Sequence, residues 1–336
     1  MERKTEHNII LDLLRIIAMG MVLLVHIPIY IKLPWTFPNG QYGVAVFFVL
    51  SGYLIMESLE RSKGILEFYK KRLLRILPEY YMILILGILV WDILLHKMPA
   101  DSLLHLGWLR YFLCLNTWIP SNDYYYWNDL WGLWTISCFV FFYLVAPLLK
   151  KWIRNFKMSL VALAGSVVVG YGCKLIVKKV MITIGLENAD IFSGDTPMFN
   201  LMIFMIGVCA WYAAKEGKRE LYLFGCAIMV AAMLFLGKAN RITWGLLAVI
   251  LLLAGLQLTV QNHVLQICIR ILSKYSFTIY LIHFPIFQIV QEVLGENCNQ
   301  LVYTVVATVL IIAGTYVIHN LSEHLIVGTI QKMKKS

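Results

Sequence analysis

A chain whose apolar runs repeatedly reach about twenty residues is sized for a lipid bilayer, and that length constrains its architecture before any motif does. The stretch LDLLRIIAMGMVLLVHIPIY, residues 11–30, is one such run. Runs of this kind place ten candidate helices near 9–30, 41–59, 79–97, 130–149, 158–177, 197–214, 220–237, 241–260, 274–294 and 301–326. They are continuous rather than alternating, which favours helices over the strands of a membrane barrel. Composition points the same way. The 336 residues are 60% hydrophobic and 14% charged, whereas soluble chains carry about 25% charged residues. The expectation is an all-α polytopic membrane protein of about ten transmembrane helices. Residues 1–336 are expected to form a single transmembrane unit with no fused soluble domain.

The formal charge of +10 is not spread as a stripe. Its basic residues cluster between spans, at RSKGILEFYKKRLLR, KKWIRNFK and KEGKR. That is the positive-inside pattern. With the N-terminus inside, inside segments hold 20 Lys and Arg, outside segments hold 8, and Arg15 lies within a span. Both termini are therefore expected to be cytoplasmic, with the cluster at Lys174–Lys179 as the dissenting group. The distribution argues against a nucleic-acid partner, since no base-reading module accompanies the charge. Seven cysteines show no CxxC pair and no metal-ligand spacing, so neither a disulfide framework nor a metal site is expected.

Two connecting segments have a character of their own. GILEFYKKRLLRILPEYY reads as an interfacial amphipathic helix leading into the third span, with Leu66, Tyr69, Leu73 and Leu77 near one face. The aromatic outside loop near 98–129 has two readings. It is either an interfacial belt of Trp and Tyr or a re-entrant segment lining a glycan site.

A charge inside a span costs about 2.5–3.5 kcal/mol on insertion scales and so suggests function. Arg15 is such a charge, with Asp12 three residues earlier on the same face. His26 follows Arg15 by eleven residues, a rotation of three turns plus about 20° and a rise of about 16.5 Å, so the two share a helix face. His26 is then either a hydrogen-bonded packing residue or a group with chemistry. Arg72 and Arg75, spaced three apart, point the same way. Planar forks at that spacing suit a polyphosphate, while anionic lipid is the alternative ligand. Ser51 and Gly52 are small residues within a span and allow a helix or a ligand close to the backbone. Tyr280 and His283 are polar groups in the ninth span. Glu323, beside His319 and His324, is placed to close a charge pair with one of the arginines.

Together these motifs resemble the membrane-bound acyltransferase family 3. Asp12, Arg15 and His26 match its first-span pattern, D-x-x-R with ten residues between the arginine and a histidine. Phe47, Phe48, Ser51, Gly52, Tyr53 and Leu54 match FF-x-x-SG-[FY]-L. Arg72, Arg75, Ile76 and Pro78 match R-x-x-R-I-x-P. Ser276, Ile279, Tyr280, Leu281 and His283 match S-x-x-[IL]-Y-L-x-H. In the fourth span Trp134, Thr135, Tyr143 and Pro147 fit the family frame, but Phe139 stands where many members carry a glutamate.

The resemblance implies an O-acyltransferase, with acetyl leading, in the bacterial cytoplasmic (inner) membrane. Its donor would be acetyl-CoA or another short acyl-coenzyme A. Its acceptor would be a hydroxyl of a surface glycan or a lipid-linked saccharide. His26 would be the general base, with an acyl-histidine intermediate as the variant. Arg15 would join it, and Arg72, Arg75, Ser51, Gly52 and Tyr53 would bind the donor. Asp12, Trp134, Tyr280, His283 and Glu323 would support them. Two other classes fit intramembrane Arg and His: a transporter or flippase of a lipid-linked glycan, and a non-catalytic membrane subunit.

Overall fold

The computed structural model describes residues 8–31, 36–90, 107–120, 132–295 and 298–335. No strand occurs among the described residues. The helices are α1 Ile9–Tyr30, α2 Gly43–Arg61, α3 Ile65–Ile88, α4 Gly107–Phe112, α5 Trp134–Trp152 and α6 Phe156–Thr183. They continue as α7 Ala189–Asp195, α8 Pro197–Lys215, α9 Arg219–Phe235, α10 Arg241–Ala254, α11 His263–Leu294 and α12 Gln300–Lys335. Asparagine opens several of them. Asn8, Asn155, Asn240 and Asn262 each accept from a backbone N–H in the first turn, satisfying donors the helix itself leaves open.

Each of the ten candidate spans overlaps one helix among the described residues. Among the described residues, seven helical segments are long and apolar enough to cross a membrane: Ile9–Tyr30, Pro38–Arg61, Trp134–Trp152, Phe156–Thr183, Pro197–Lys215, His263–Leu294 and Gln300–Ile326. The other three are α3, which is rich in charge, and α9 and α10, which have 17 and 14 residues. The third span near 79–97 starts inside α3 rather than at a helix start of its own. The amphipathic segment and the start of that span form one continuous helix, α3, through Pro78. Its buried stripe is Phe68, Ile76, Tyr80, Ile83 and Leu84, while Leu66 is 83% exposed. Tyr69, Leu73 and Leu77 pack partly buried against the same core, so of the expected face only Leu66 turns away. Residues 91–97 lie outside the described residues, as do 98–106 and 121–129 of the aromatic loop and the side chains of Arg3, Lys4, Lys32, Lys97, Lys332, Lys334 and Lys335.

The described part of the aromatic loop packs onto protein. The Tyr81 hydroxyl donates to the Phe112 carbonyl at 2.8 Å, Tyr80 donates to the Tyr111 carbonyl, and Ser137 donates to Asn116. Trp118 meets Phe141 edge-on, with ring centroids 5.1 Å apart.

Helix α2 runs through the middle, packed against α1, α5, α8 and α10. Its contact with α8 is backbone on backbone. A Cβ on Gly52 would stand 2.0 Å from the Phe204 carbonyl oxygen, and one on Gly207 would stand 2.0 Å from that of Val49. Small residues permit this approach. Helix α11 lies along α1 and α12. Contacts at the two ends join helix ends that the charge pattern assigns to the same side. Glu60 pairs with Lys215, Asn8 donates to the Leu256 carbonyl, and Lys274 pairs with Glu323, all at expected inside ends. Arg241 pairs with Asp195 at an expected outside end, where Lys178, of the dissenting cluster, pairs with Asp190.

Candidate functional site

A cavity of about 790 Å³ opens among α1, α2, α3, α5, α11 and α12. Its cations are Arg15, Lys70, Lys71, Arg72, Arg75, Arg270 and Lys274, against the carboxylates Asp12, Glu67, Glu79 and Glu323. Each carboxylate has a partner. Asp12 accepts from Arg15 at 2.9 Å, Glu67 meets Lys71 at 2.7 Å, Glu323 meets Lys274 at 3.1 Å, and Glu79 meets His319 Nδ1 at 2.8 Å. The hydrogen bond from Lys71 holds the exposed Glu67 carboxyl below its ordinary pKa. The cavity therefore has an excess of positive charge, concentrated on α3 and α11, which suits a polyanion.

The helix geometry decides which predicted residues face this cavity. Arg15, Ser51, Arg72, Arg75 and Glu323 line it. Asp12 is buried beneath Arg15, and its Oδ1 also accepts from Ser273 on α11 at 2.6 Å. Arg72 donates to the Leu54 carbonyl at 2.8 Å, and Arg75 is exposed at the rim. Gly52 instead sits against α8, and Tyr53 is not among the lining residues, because successive residues on a helix turn by about 100°. Glu323 pairs with Lys274 and with His319 Nε2 at 3.4 Å, so the arginine partner expected for it is replaced by a lysine. Trp134 is buried at the start of α5, edge-on to Phe48, with the Arg241 guanidinium 5.1 Å from its ring centre. Tyr280 donates its hydroxyl to Thr135 Oγ1 and the Gly132 carbonyl, both at 3.2 Å.

His26 lies farther along the same face of α1, and it meets His283 of α11. His26 Nδ1 and His283 Nε2 are 2.8 Å apart. The ring centroids are 5.1 Å apart and the planes differ by 12°. The centroid distance exceeds the nitrogen distance by about two ring radii, so the hydrogen bond lies in both ring planes and is not a face-to-face stack. Phe284 meets His26 edge-on at 5.0 Å, and Phe287 meets His283 edge-on at 5.9 Å. Tyr30 and Tyr303 stack beyond them. The structure thus brings two of the predicted residues into one dyad, 257 residues apart in sequence.

Glu79 lies outside the sequence motifs. Its carboxylate is buried and accepts from Thr278 at 2.8 Å and from Ser322 at 3.3 Å, besides meeting His319, so it joins α3, α11 and α12. The rule that singles out Arg15, an ionisable group within a span, also singles out Glu79. Arg270 and Lys274 supply the wall facing α3 and were visible only as loop charge. The Arg241 guanidinium, counted as outside charge, is held by Asp195, Asn200 and the Gly194 carbonyl at 2.7–3.0 Å.

These helices and this cavity define a multi-pass membrane protein with a cation-rich cavity at one end of a helical bundle. Comparison with known proteins supplies the family. The chain belongs to the acyltransferase domain family, whose model matches residues 8–320. It is similar to the peptidoglycan O-acetyltransferase OatA of Listeria monocytogenes serovar 1/2a, 24% identical over 96% of this chain and 55% of the relative. It is similar to the putative peptidoglycan O-acetyltransferase YrhL of Bacillus subtilis, 24% identical over 97% of this chain and 56% of the relative. Nodulation protein 10 of Rhizobium leguminosarum bv. viciae is 27% identical over 84% of this chain and 83% of its own length. The chain spans about half the length of the first two relatives. No solved structure matches it.

Proposed function

We propose that the protein is an integral membrane O-acyltransferase. It moves an acyl group, acetyl foremost, from an acyl-coenzyme A to a hydroxyl of a cell-surface or lipid-linked glycan. The observation that carries this reading is the cation-rich cavity whose wall includes Arg15, on the face of α1 that continues to His26. The names of two relatives, peptidoglycan O-acetyltransferases, support the acetyl group and the glycan.

The donor's phosphates bind Arg72 and Arg75, with Arg270 and Lys274 on the facing wall, and Ser51 lines the deeper part. Its thin arm runs past Arg15 toward His26. His26 takes the proton of the acceptor hydroxyl as the oxygen attacks the thioester carbonyl. The carbon–sulfur bond then breaks, and the sulfur takes the proton back from His26. Residues 1–336 act as one transmembrane unit of ten spans in the bacterial inner membrane, with both termini cytoplasmic. That orientation places the arginine-lined cavity on the side where coenzyme A is made.

The test uses membranes containing the full chain, given radiolabelled acetyl-coenzyme A. The expected result is label in cellular glycan, lost to background in His26→Ala and in His26→Gln. Transfer that survives both substitutions removes His26 as the base. Mass spectrometry of surface-glycan esters with and without the chain identifies the acceptor.

A further inference from the structure

We propose that His283 is a positioning residue that fixes the tautomer of His26, placing the proton on Nδ1 and the lone pair on Nε2, toward the acceptor hydroxyl. This rests on the reading of His26 as the base.

His283 Nδ1 lies 2.7 Å from the Tyr280 carbonyl oxygen and 3.2 Å from that of Ile279. A carbonyl oxygen only accepts, so His283 Nδ1 carries a proton. A neutral imidazole holds one proton, which leaves His283 Nε2 as an acceptor. His283 is 1% exposed, and burial in that apolar setting disfavours the cation. The hydrogen bond of 2.8 Å to His26 then requires His26 Nδ1 to donate. Its proton is thereby assigned to Nδ1, and Nε2 is the basic nitrogen. The in-plane geometry of the two rings and the edge-on Phe284 and Phe287 fix the orientation as well as the protonation.

The same relation holds a catalytic histidine in hydrolase triads, where the orienting group is a carboxylate. Here it is a neutral imidazole anchored by two backbone carbonyls. It orients His26 without adding a negative charge. Through the reaction the hydroxyl proton moves to His26 Nε2 and from there to the departing sulfur. His283 gains and loses no proton, and its Nε2 accepts from His26 Nδ1 throughout. The fourth-span position where related sequences carry glutamate is Phe139 here, and it has no part in this arrangement.

The test combines substitution with a direct readout of the tautomer. His283→Phe keeps the ring and deletes the acceptor. His283→Gln keeps an acceptor near the position of Nε2. In His283→Phe the expected result is a loss of kcat of about 10–100-fold, the range for partners that orient a metal-ligating imidazole. The donor KM is expected to be unchanged, with partial recovery in His283→Gln. Nitrogen-15 NMR of labelled histidine in the full-length protein, assigned by its loss in His26→Gln, is expected to show His26 protonated at Nδ1. The signal is expected to shift toward Nε2–H in His283→Phe. A wild-type His26 protonated at Nε2 overturns the proposal whatever the kinetics of His283→Phe. So does a His283→Phe protein with wild-type kcat. If His26→Gln stays active, the base assignment fails instead, and the NMR tautomer still reports on the dyad by itself.

Discussion

Asp12 holds Arg15 at 2.9 Å through the same oxygen, Oδ1, that accepts from Ser273 at 2.6 Å. One buried carboxylate thus joins the cation of the first helix to the ninth span before any ligand arrives. Removing one member of a buried charge pair costs about 3–5 kcal/mol, because the other charge is left in a poor solvent. Asp12→Ala is expected to lower thermal stability in detergent by less than that, because the Arg15 left behind is 20% exposed and lines the cavity. Asp12→Asn keeps an oxygen for Ser273 and is expected to lose less. Replacing both partners, as Asp12→Ala with Arg15→Met, is expected to recover part of the loss. Equal melting of Asp12→Ala and the wild type would show that the pair bears no load.

Arg72 and Arg75 differ in what else they do. Arg72 donates to the Leu54 carbonyl at 2.8 Å and so also ties α3 to α2, whereas Arg75 is exposed at the rim. A hydrogen bond to a charged group contributes about 1.5–3 kcal/mol, which is roughly 10–150-fold in an equilibrium constant. Arg75→Ala is expected to raise the donor KM by about tenfold and to weaken its dependence on salt, since exposed charge is screened. Arg72→Ala is expected to raise KM and also to lower stability. Arg72→Lys is not expected to rescue binding fully, because a point charge does not reproduce the planar fork. Donor KM in membranes, measured across a salt series, checks all three.

Gly52 and Gly207 set the distance between α2 and α8. A Cβ on Gly52 would stand 2.0 Å from a backbone oxygen, which no side-chain rotation relieves. Gly52→Ala is expected to cost about 1–3 kcal/mol or more, the range for overpacking a filled interface. Gly165 on α6 is the control, since a Cβ there meets nothing within 4 Å. Gly165→Ala is expected to be neutral or slightly stabilising, as alanine favours a helix by about 1 kcal/mol. Thermal unfolding of both variants in detergent separates the two outcomes.

The helices were legible because apolar runs of membrane length have few other uses. The shared face of Arg15 and His26 was legible because 100° per residue brings residues eleven apart into line. Asp12 and His26 accordingly both reach α11, at Ser273 and His283. The identity of His26's partner was not legible, because a contact across 257 residues depends on tertiary packing and has no local signature. Glu79 was passed over for a different reason. It sits where a charged amphipathic segment runs into a span, and its charge reads as interfacial until α12 is seen to cover it. The same blurring hid the continuity of α3, whose buried stripe follows Phe68 and Tyr80 rather than Leu66.

Phe139 provides a test of whether this chain needs the acid that related sequences carry there. It lines the cavity and packs in an aromatic cluster, with ring centroids 5.2 Å from Phe48 and 5.7 Å from Phe204. It is also close to Tyr143, whose ring centroid is 6.4 Å away and which lies beside Arg72. An acid at this position would thus face the arginine wall, while His26 is already held by His283. Phe139→Glu would place a carboxylate among aromatic rings and bring it into competition with the donor's phosphates for Arg72. A buried charge without a dedicated partner lowers stability. A competing carboxylate at about 1–3 kcal/mol corresponds to roughly 5–150-fold weaker donor binding. The expected outcome is a higher donor KM, a lower melting temperature and no gain in kcat. A Phe139→Glu protein that transfers acetyl faster than the wild type would show instead that the acid can act on His26, and that the dyad with His283 is not sufficient to orient it.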